Sequence, residues 1–279
     1  MVQAGRGRPG WSLSGYEVEE LIGIGATGEV WRGRELASGR LVALKRLTGA
    51  GSGGQPEGRD RLRREAALLA GVTSPHLVRL RTVVTTGDGL VLVLDLATGG
   101  SLASLLGVRR TLPAGEVVAV AAPVAEALAD VHAAGIVHGD VSPANVLLTA
   151  DGRPLLSDLG VARMVHERAA AAVTIRYADP AVLAGGDVDP AADVYALAAV
   201  CHAALTGAPP YPGDDVEEIL RAVAAGRRLP LPIAVPGLPG GLADAVEAAL
   251  ALEPAQRPDA ATLAAGLRAA CPPARLRLA

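Results

Sequence analysis

Short apolar runs separated by glycines dominate the first third of the chain. Between Tyr16 and Leu47 the apolar and polar positions alternate as they do in β-strands. One face of the predicted strand Leu41–Leu47 carries Leu41, Ala43, Lys45 and Leu47. Two further strands are predicted near Leu77–Thr85 and Gly89–Leu96, with a Gly-Asp-Gly turn between them.

After Gly99-Gly100 the apolar positions recur at the longer spacing of helices. This spacing predicts helices over Glu116–Ala134 and Asp189–Thr206, the second with a proline in its first turn and a glycine just past its end. A β-hairpin is predicted between them, with strands Val146–Leu148 and Leu155–Ser157 around Asp151-Gly152.

These elements predict an α+β protein in two lobes. Residues 14–97 form the β-rich N-lobe, which includes a flexible connector at 48–58 and a helix at Arg59–Ala70. Residues 98–272 form the larger helical C-lobe. Residues 1–13 are predicted to be a disordered lead and residues 273–279 a tail.

Composition excludes several functional classes. Half of the 279 residues are hydrophobic and the net charge is −3, so no basic footprint for nucleic acid or a membrane surface is present. No segment reaches the roughly 18 apolar residues of a membrane span. Cys201 and Cys271 match no metal or redox spacing. Together these features predict a cytoplasmic protein with two reduced thiols.

Lys45 is the single lysine of a chain with 26 basic residues. A bias toward arginine has replaced lysine everywhere else, which indicates that this position requires a compact ammonium group. Glu65 lies on the apolar face of the predicted helix and would need a cation, for which Lys45 is the obvious candidate. The alternatives are a lysine that survived by chance and a helix-edge glutamate paired with an arginine.

The segment from His138 to Asp158 carries a second group of polar residues. Asp140 precedes Asn145 by five residues, a loop spacing that lets both side chains point into one site. Pairing of the predicted hairpin would place Asn145 across from Asp158. An amide oxygen beside a carboxylate suits Mg2+, which takes few protein ligands together with phosphate oxygens. Each of these residues alone is also explained as a loop or capping residue.

Glycines at positions 23, 25 and 28 can bring backbone N–H groups close to phosphates, although glycines of a hairpin turn explain the pattern equally well.

In this order the motifs resemble those of the protein-kinase family, in its bacterial serine/threonine branch, over about Tyr16 to Leu267. The resemblance implies phosphorylation of serine or threonine on a protein substrate, with ATP and Mg2+ as cofactors. It implies catalytic roles for Asp140, Lys45 and Asn145, and metal binding by Asn145 and Asp158. It also implies nucleotide binding by Ile22, Gly23, Gly25, Gly28, Val30, Ala43, Lys45, Glu65, Leu94, Asp95, Ala97, Leu147 and Asp158.

Three motifs farther along strengthen the resemblance. Thr174 would orient Asp140, and Asp193 would tie down the catalytic loop. Arg257 matches an arginine that pairs with a glutamate in the family, but Ala181 stands at that glutamate's position. Asp179 is therefore predicted to replace it.

Two further departures concern activity. Gly139 stands where the family has an arginine that receives an activation-loop phosphate, and residues 161–173 contain no Ser, Thr or Tyr. Both predict activity without activation-loop phosphorylation. Ser142 replaces a lysine near the γ-phosphate, which predicts slow turnover. The alternatives are a nucleotide-binding pseudokinase and a small-molecule kinase of the aminoglycoside type.

Overall fold

Residues 10–25, 28–47, 71–86, 89–159 and 175–278 are described by the structure, which is a computed structural model. They divide into two compact units. The first unit holds the described residues up to 73 together with 78–86 and 89–97, and the second holds 74–77, 98–159 and 175–278. The predicted connector 48–58, the predicted helix Arg59–Ala70 and residues 1–9 of the predicted lead lie outside the described residues.

The first unit contains an antiparallel sheet of five strands in the order β1-β2-β3-β5-β4. These are β1 (Tyr16–Gly25), β2 (Gly28–Glu35), β3 (Leu41–Leu47), β4 (Leu80–Thr86) and β5 (Gly89–Asp95). The predicted strands are therefore confirmed. Strand β4 begins three residues later than predicted because Leu77 belongs to the second unit, where it bridges Leu156.

Both faces of this sheet are packed, which explains why β3 is apolar at nearly every position. Cross-strand partners share a face, so the pairing of Leu44 with Val93 and of Lys45 with Leu92 assigns the faces. On one face Val42, Leu44, Val91 and Val93 cluster with Trp11 and Trp31. On the other face Leu47 clusters with Leu90 and Leu92.

Most of the regular secondary structure in the second unit is helical, which confirms the predicted α+β class. The longest are α2 (Ala114–Ala133) and α4 (Pro190–Thr206), close to the predicted Glu116–Ala134 and Asp189–Thr206. The others are α1 (Leu102–Arg109), α3 (Pro180–Leu183), α5 (Val216–Ala224), α6 (Leu231–Ala234), α7 (Gly240–Ala249) and α8 (Ala260–Ala270).

The residues at the two ends of helix α4 explain where this helix begins and ends. The Asp189 side chain accepts a hydrogen bond from the Ala192 amide at 2.9 Å, which caps the first turn. Pro190 occupies the position where its missing N–H costs nothing. Gly207 ends the helix with φ 84°, a left-handed conformation that glycine adopts without strain. The helix between these ends is buried on all sides, so it forms the centre of the second unit.

The hairpin of strands β6 (Val146–Leu148) and β7 (Pro154–Leu156) is one residue out of the predicted register. Val146 pairs with Leu156, and Leu148 pairs with Pro154. The prediction that Asn145 lies directly across from Asp158 is therefore wrong. Ser157 is the residue opposite Asn145, and its amide donates to the Asn145 carbonyl at 2.8 Å.

The end of the chain packs on α2. The Ala274 amide donates to the Gly115 carbonyl at 2.8 Å, and Leu276 is buried. Arg109 forms an ion pair with the buried Glu116 at 2.5 Å and also donates to the Arg277 carbonyl at 2.8 Å. Among the residues that the structure describes, no helix is both long enough and apolar enough to span a bilayer.

Candidate active site

The loop from His138 to Asn145 follows α2 and is held by a carboxylate of α4. The Asp193 carboxylate accepts hydrogen bonds from the amides of His138 at 2.8 Å and Gly139 at 2.7 Å. Asp193 is 1% exposed, so these bonds are shielded from water. The predicted role of Asp193 in tying down this loop therefore has a direct structural basis.

Two histidines complete this anchor. His132 Nε2 donates to Asp193 Oδ2 at 2.9 Å, which gives the buried carboxylate a third donor. His138 Nε2 donates to the Ser157 carbonyl at 2.8 Å, while its Nδ1 accepts from the Asp140 amide at 3.2 Å. These partners define the neutral tautomer with the proton on Nε2. His138 therefore links the loop to the residue that precedes Asp158.

Gly139 adopts φ 75° in this loop. Glycine accepts this left-handed conformation without steric cost, whereas a side chain at the same position would be strained. The glycine that departs from the family motif therefore fits the backbone of the loop.

Asn145 and Asp140 are in direct contact. The Asn145 amide nitrogen donates to the Asp140 carbonyl at 2.8 Å and to the Asp140 carboxylate at 2.8 Å. Both bonds use the amide nitrogen, so neither occupies the amide oxygen, which is the atom that could bind a hard cation. The two bonds orient the Asp140 carboxylate.

Asp158 has φ 63° and, with Arg110, is one of two non-glycine residues with a positive φ among the described parts of the chain. Such a conformation costs about 1–3 kcal/mol and persists where the surrounding structure imposes it, often at functional sites. Asp158 follows Ser157, whose amide is bonded to the Asn145 carbonyl.

In the first unit, four of the predicted nucleotide-binding residues share one face of the sheet. Val30 pairs with Lys45, and Ala43 pairs with Leu94. Lys45 is 3% exposed, which is unusual for a lysine and requires compensation by polar partners. Its predicted partner Glu65 lies outside the described residues. The lone lysine therefore sits in a buried setting beside small and aliphatic side chains.

The predicted glycine pattern lies at the end of β1 and the start of β2. Gly23 pairs with Val30 and Gly25 with Gly28, while Ile22 stands at an irregular step of the pairing and is 46% exposed. A Cβ on Gly28 would come within 2.0 Å of the Arg46 carbonyl oxygen, so close strand packing alone demands this glycine. Its contact with phosphate remains a prediction.

The other predicted nucleotide-binding residues lie at the ends of strands. Leu94 and Asp95 end β5, and Ala97 lies two residues farther on, outside regular secondary structure. Leu147 is the middle residue of β6 and pairs with Leu155 in the second unit. The grouping of these residues with Lys45, Asp140 and Asp158 around one nucleotide remains a prediction.

The predicted docking segment Thr174–Tyr177 is described from Ile175 onward, where a short 3-10 turn covers Ile175–Tyr177. Ile175 packs against the buried cluster of Tyr211, Ile219 and Ala222, and Arg176 forms an ion pair with Asp214. Thr174 and Gly160 lie outside the described residues.

The predicted replacement of the family's glutamate by Asp179 is confirmed in its geometry. Arg257 donates to both carboxylate oxygens of Asp179, at 2.5 and 2.9 Å, and both side chains are almost fully buried. Asp179 also accepts from the Ala181 amide at 2.9 Å, which caps α3. One carboxylate thus performs two tasks.

His132 and Arg81 were missed by sequence reasoning. His132 precedes the His138 motif by six residues, but only the fold brings it to Asp193. Arg81 binds Asp95 through an irregularity of β4 that no sequence pattern indicates.

Comparison with known proteins agrees with this geometry. A model of the protein kinase domain matches residues 16–266. The chain is 37% identical over 272 residues to the serine/threonine-protein kinase PkaB of Streptomyces coelicolor, covering 93% of this chain and 64% of PkaB. It is 35% identical over 286 residues to PknL of Mycobacterium bovis, covering 96% and 69%. It is 32% identical over 263 residues to PknH of Mycobacterium tuberculosis, covering 92% and 42%.

A crystal structure of Rad53 1–466 in complex with AMP-PNP superposes with a TM-score of 0.77 at 20% identity, covering 90% of this chain and 64% of that one. This likeness shows the fold. The chain spans less than two thirds of the length of PkaB and less than half of that of PknH.

Proposed function

The chain belongs to the protein kinase domain family, and on that premise we propose that it transfers the γ-phosphoryl group of ATP to serine or threonine of a protein substrate. PkaB, PknL and PknH all carry the name serine/threonine-protein kinase. The single observation that carries the proposal is the Asp140–Asn145 contact in a loop anchored by the buried Asp193. The net charge of −3 gives no support to a nucleic-acid partner.

ATP is the proposed nucleotide, and Rad53, which shares the fold, was crystallised with the triphosphate analogue AMP-PNP. The adenine ring would lie between Val30, Ala43 and Leu147, with Leu94, Asp95 and Ala97 along its edge. The glycines at 23, 25 and 28, together with Ile22, would cover the phosphates. The Lys45 ammonium, held by Glu65, would neutralise charge on the α- and β-phosphates.

The chemistry of two described side chains supports a magnesium site in this proposal. The Asn145 amide oxygen and the Asp158 carboxylate are hard oxygen donors, and two protein ligands leave room for phosphate oxygens and water. When bound, Mg2+ would neutralise charge that develops on the phosphate oxygens during transfer.

The chain's own residues account for the rest of the reaction. The substrate hydroxyl oxygen bonds to the γ-phosphorus, the bond between that phosphorus and the bridging oxygen of ADP breaks, and the hydroxyl proton passes to the Asp140 carboxylate. The Asn145 amide orients Asp140 for this step. Most of the rate enhancement comes from positioning and preorganised charge.

Turnover is expected to be slow. Ser142 stands where the family has a lysine near the γ-phosphate, and removal of one such donor typically costs about 10²–10³ in rate.

The proposal is tested by transfer of radiolabel from γ-labelled ATP to a general protein substrate with Mg2+. We expect Asp140→Asn to lower transfer about 100-fold or more, because the hydroxyl loses its proton acceptor. Binding of ATP, measured as thermal stabilisation, should persist in this variant. The exposed Asp187→Asn is the matched control and should transfer at the wild-type rate.

Transfer that survives in Asp140→Asn contradicts the proposed role. Thermal stabilisation by ATP without any transfer in the wild type identifies a pseudokinase, and transfer to aminoglycosides but not to protein identifies a small-molecule kinase.

A further inference from the structure

Strand β4 contains a bulge at Arg81. Leu80 pairs with Leu94 and Thr82 pairs with Val93, so two steps along β4 correspond to one step along β5. Arg81 is the extra residue and has no partner across the ladder. Bulges redirect a side chain and are common next to functional sites.

The bulge directs Arg81 to the end of β5. Arg81 Nε donates to Asp95 Oδ1 at 2.5 Å. The Asp95 amide donates to the Arg79 carbonyl at 3.0 Å, so β4 holds the same residue through its backbone as well. Asp95 is the last residue of β5, and the chain leaves the sheet directly after it.

The Asp95 carboxylate lies on the sheet face away from Lys45. Asp95 pairs with Val42, whereas Ala43 and Lys45 alternate to the other face. A nucleotide on the Lys45 face would therefore meet the backbone of the segment 95–97 and not the Asp95 carboxylate. The Asp95 carboxylate can therefore bind Arg81 without displacing the nucleotide, and this ion pair can fix the backbone of residues 95–97.

We propose that Arg81 is a positioning residue for adenine: its ion pair with Asp95 holds the backbone of residues 95–97 in the conformation that binds the ring. The inference rests on the proposed function, because it assigns a task within that nucleotide site. The pair is partly exposed, with side-chain exposures of 24% for Arg81 and 39% for Asp95, so solvent screens it and its effect is modest.

The test compares Arg81→Gln with wild type by calorimetric titration with ATP and with adenosine, each in the presence of Mg2+. We expect the Kd of both ligands to rise by about 2- to 5-fold, the range of a partly exposed ion pair. The rise should be equal for the two ligands because the lost contact concerns the ring and not the phosphates. The KM for ATP should rise by the same factor while kcat is unchanged.

Arg268→Gln is the matched control. Arg268 pairs with Glu126 at 2.7 Å, with side-chain exposures of 43% and 41%, but this pair joins α8 to α2 within the second unit and is not part of the sheet that leads into residues 95–97. This variant should bind both ligands as wild type does. Arg81→Lys keeps the positive charge and should bind more tightly than Arg81→Gln, which provides a second measurement if Arg81→Gln folds poorly.

Three outcomes would overturn the inference. Equal Kd values for Arg81→Gln and wild type, or a fall in Tm without any change in Kd, would show that the pair is only structural. Weaker binding of ATP but not of adenosine would place the effect at the phosphates. Absence of ATP binding in wild type would overturn the proposed function and this inference together.

Discussion

At the scale of single residues, the Arg257–Asp179 pair shows that an arginine can keep a carboxylate partner when that carboxylate comes from a different position in the sequence. The family places a glutamate at the position of Ala181, and this chain supplies the carboxylate two residues earlier. Arg257 also donates to the carbonyls of Ala191, Ala251 and Leu252, and its guanidinium lies 5.0 Å from the centre of the Tyr195 ring. Together these contacts hold the Arg257 guanidinium in a buried position, where Asp179 supplies the negative charge.

Removal of the carboxylate should therefore be costly. We expect Asp179→Ala to lower the free energy of unfolding by about 3–5 kcal/mol, because a buried guanidinium loses its counter-charge. Chemical denaturation measures this change.

The exposed Glu253→Ala, near the same arginine in sequence, is the control and should change stability by less than about 0.5 kcal/mol. A loss in Asp179→Ala no larger than that of the control would show that the backbone carbonyls suffice for Arg257.

At the scale of elements, helix α4 holds the loop from His138 to Asn145 at its first turn and contacts the Ala208 backbone just past its last turn. Asp193 in its first turn holds the loop, and His202 near its last turn is 5% exposed and donates from Nδ1 to the Ala208 carbonyl at 3.0 Å. Burial is the largest cause and lowers the pKa of His202 below its usual 6.5, and the charge of Arg228 acts in the same direction. The hydrogen bond to the Ala208 carbonyl and the charge of Glu247 act in the opposite direction.

This shift makes stability depend on pH. The unfolded chain takes up a proton near pH 6.5 and the folded chain only at lower pH, so acid favours unfolding. The stability that neutral His202 provides is complete above about pH 6.5 and is lost as the pH falls toward the folded pKa. We expect His202→Gln to show a smaller loss of unfolding free energy between pH 7.5 and pH 5 than wild type, as measured by denaturation at each pH.

Cys201→Ala is the control for this series. Burial raises the pKa of the Cys201 thiol to about 12, so the thiol does not ionise in this range and the variant should keep the wild-type pH dependence. A pH profile of His202→Gln that parallels wild type would rule out His202 as the titrating group.

Two elements show which structural features a sequence pattern predicts correctly and which it does not. Helix α4 was predicted to within one residue because its cap, its proline and its final glycine all lie in the helix or next to it. The hairpin of β6 and β7 was predicted with a one-residue error, since Pro154 and Ser157 are equally compatible with the end of a short strand. The register follows from packing, including the His76 carbonyl that accepts from the Leu156 amide at 2.8 Å.

At the scale of the whole molecule, activity is expected without activation-loop phosphorylation. Residues 161–173 contain no hydroxyl side chain, and Gly139 replaces the arginine that would bind a phosphate. Protein treated with phosphatase should therefore retain its full transfer rate in the radiolabel assay.

The control for this prediction is Tyr177→Phe, which removes a hydroxyl close to the loop and should keep the wild-type transfer rate. Phosphopeptide mapping that finds a modified Thr174 or Tyr177, together with loss of activity on phosphatase treatment, would contradict the prediction.

By itself the sequence determined the class of the protein, its elements and the chemistry of its candidate site. Strand alternation and helix caps depend on residues close in the chain, and a lone lysine or an Asp-Asn spacing is visible without coordinates. Only the tertiary structure decided that His132 meets Asp193 and that Arg81 meets Asp95. These contacts depend on how separate elements pack and on a bulge in one strand, and neither is encoded in a local pattern of residues.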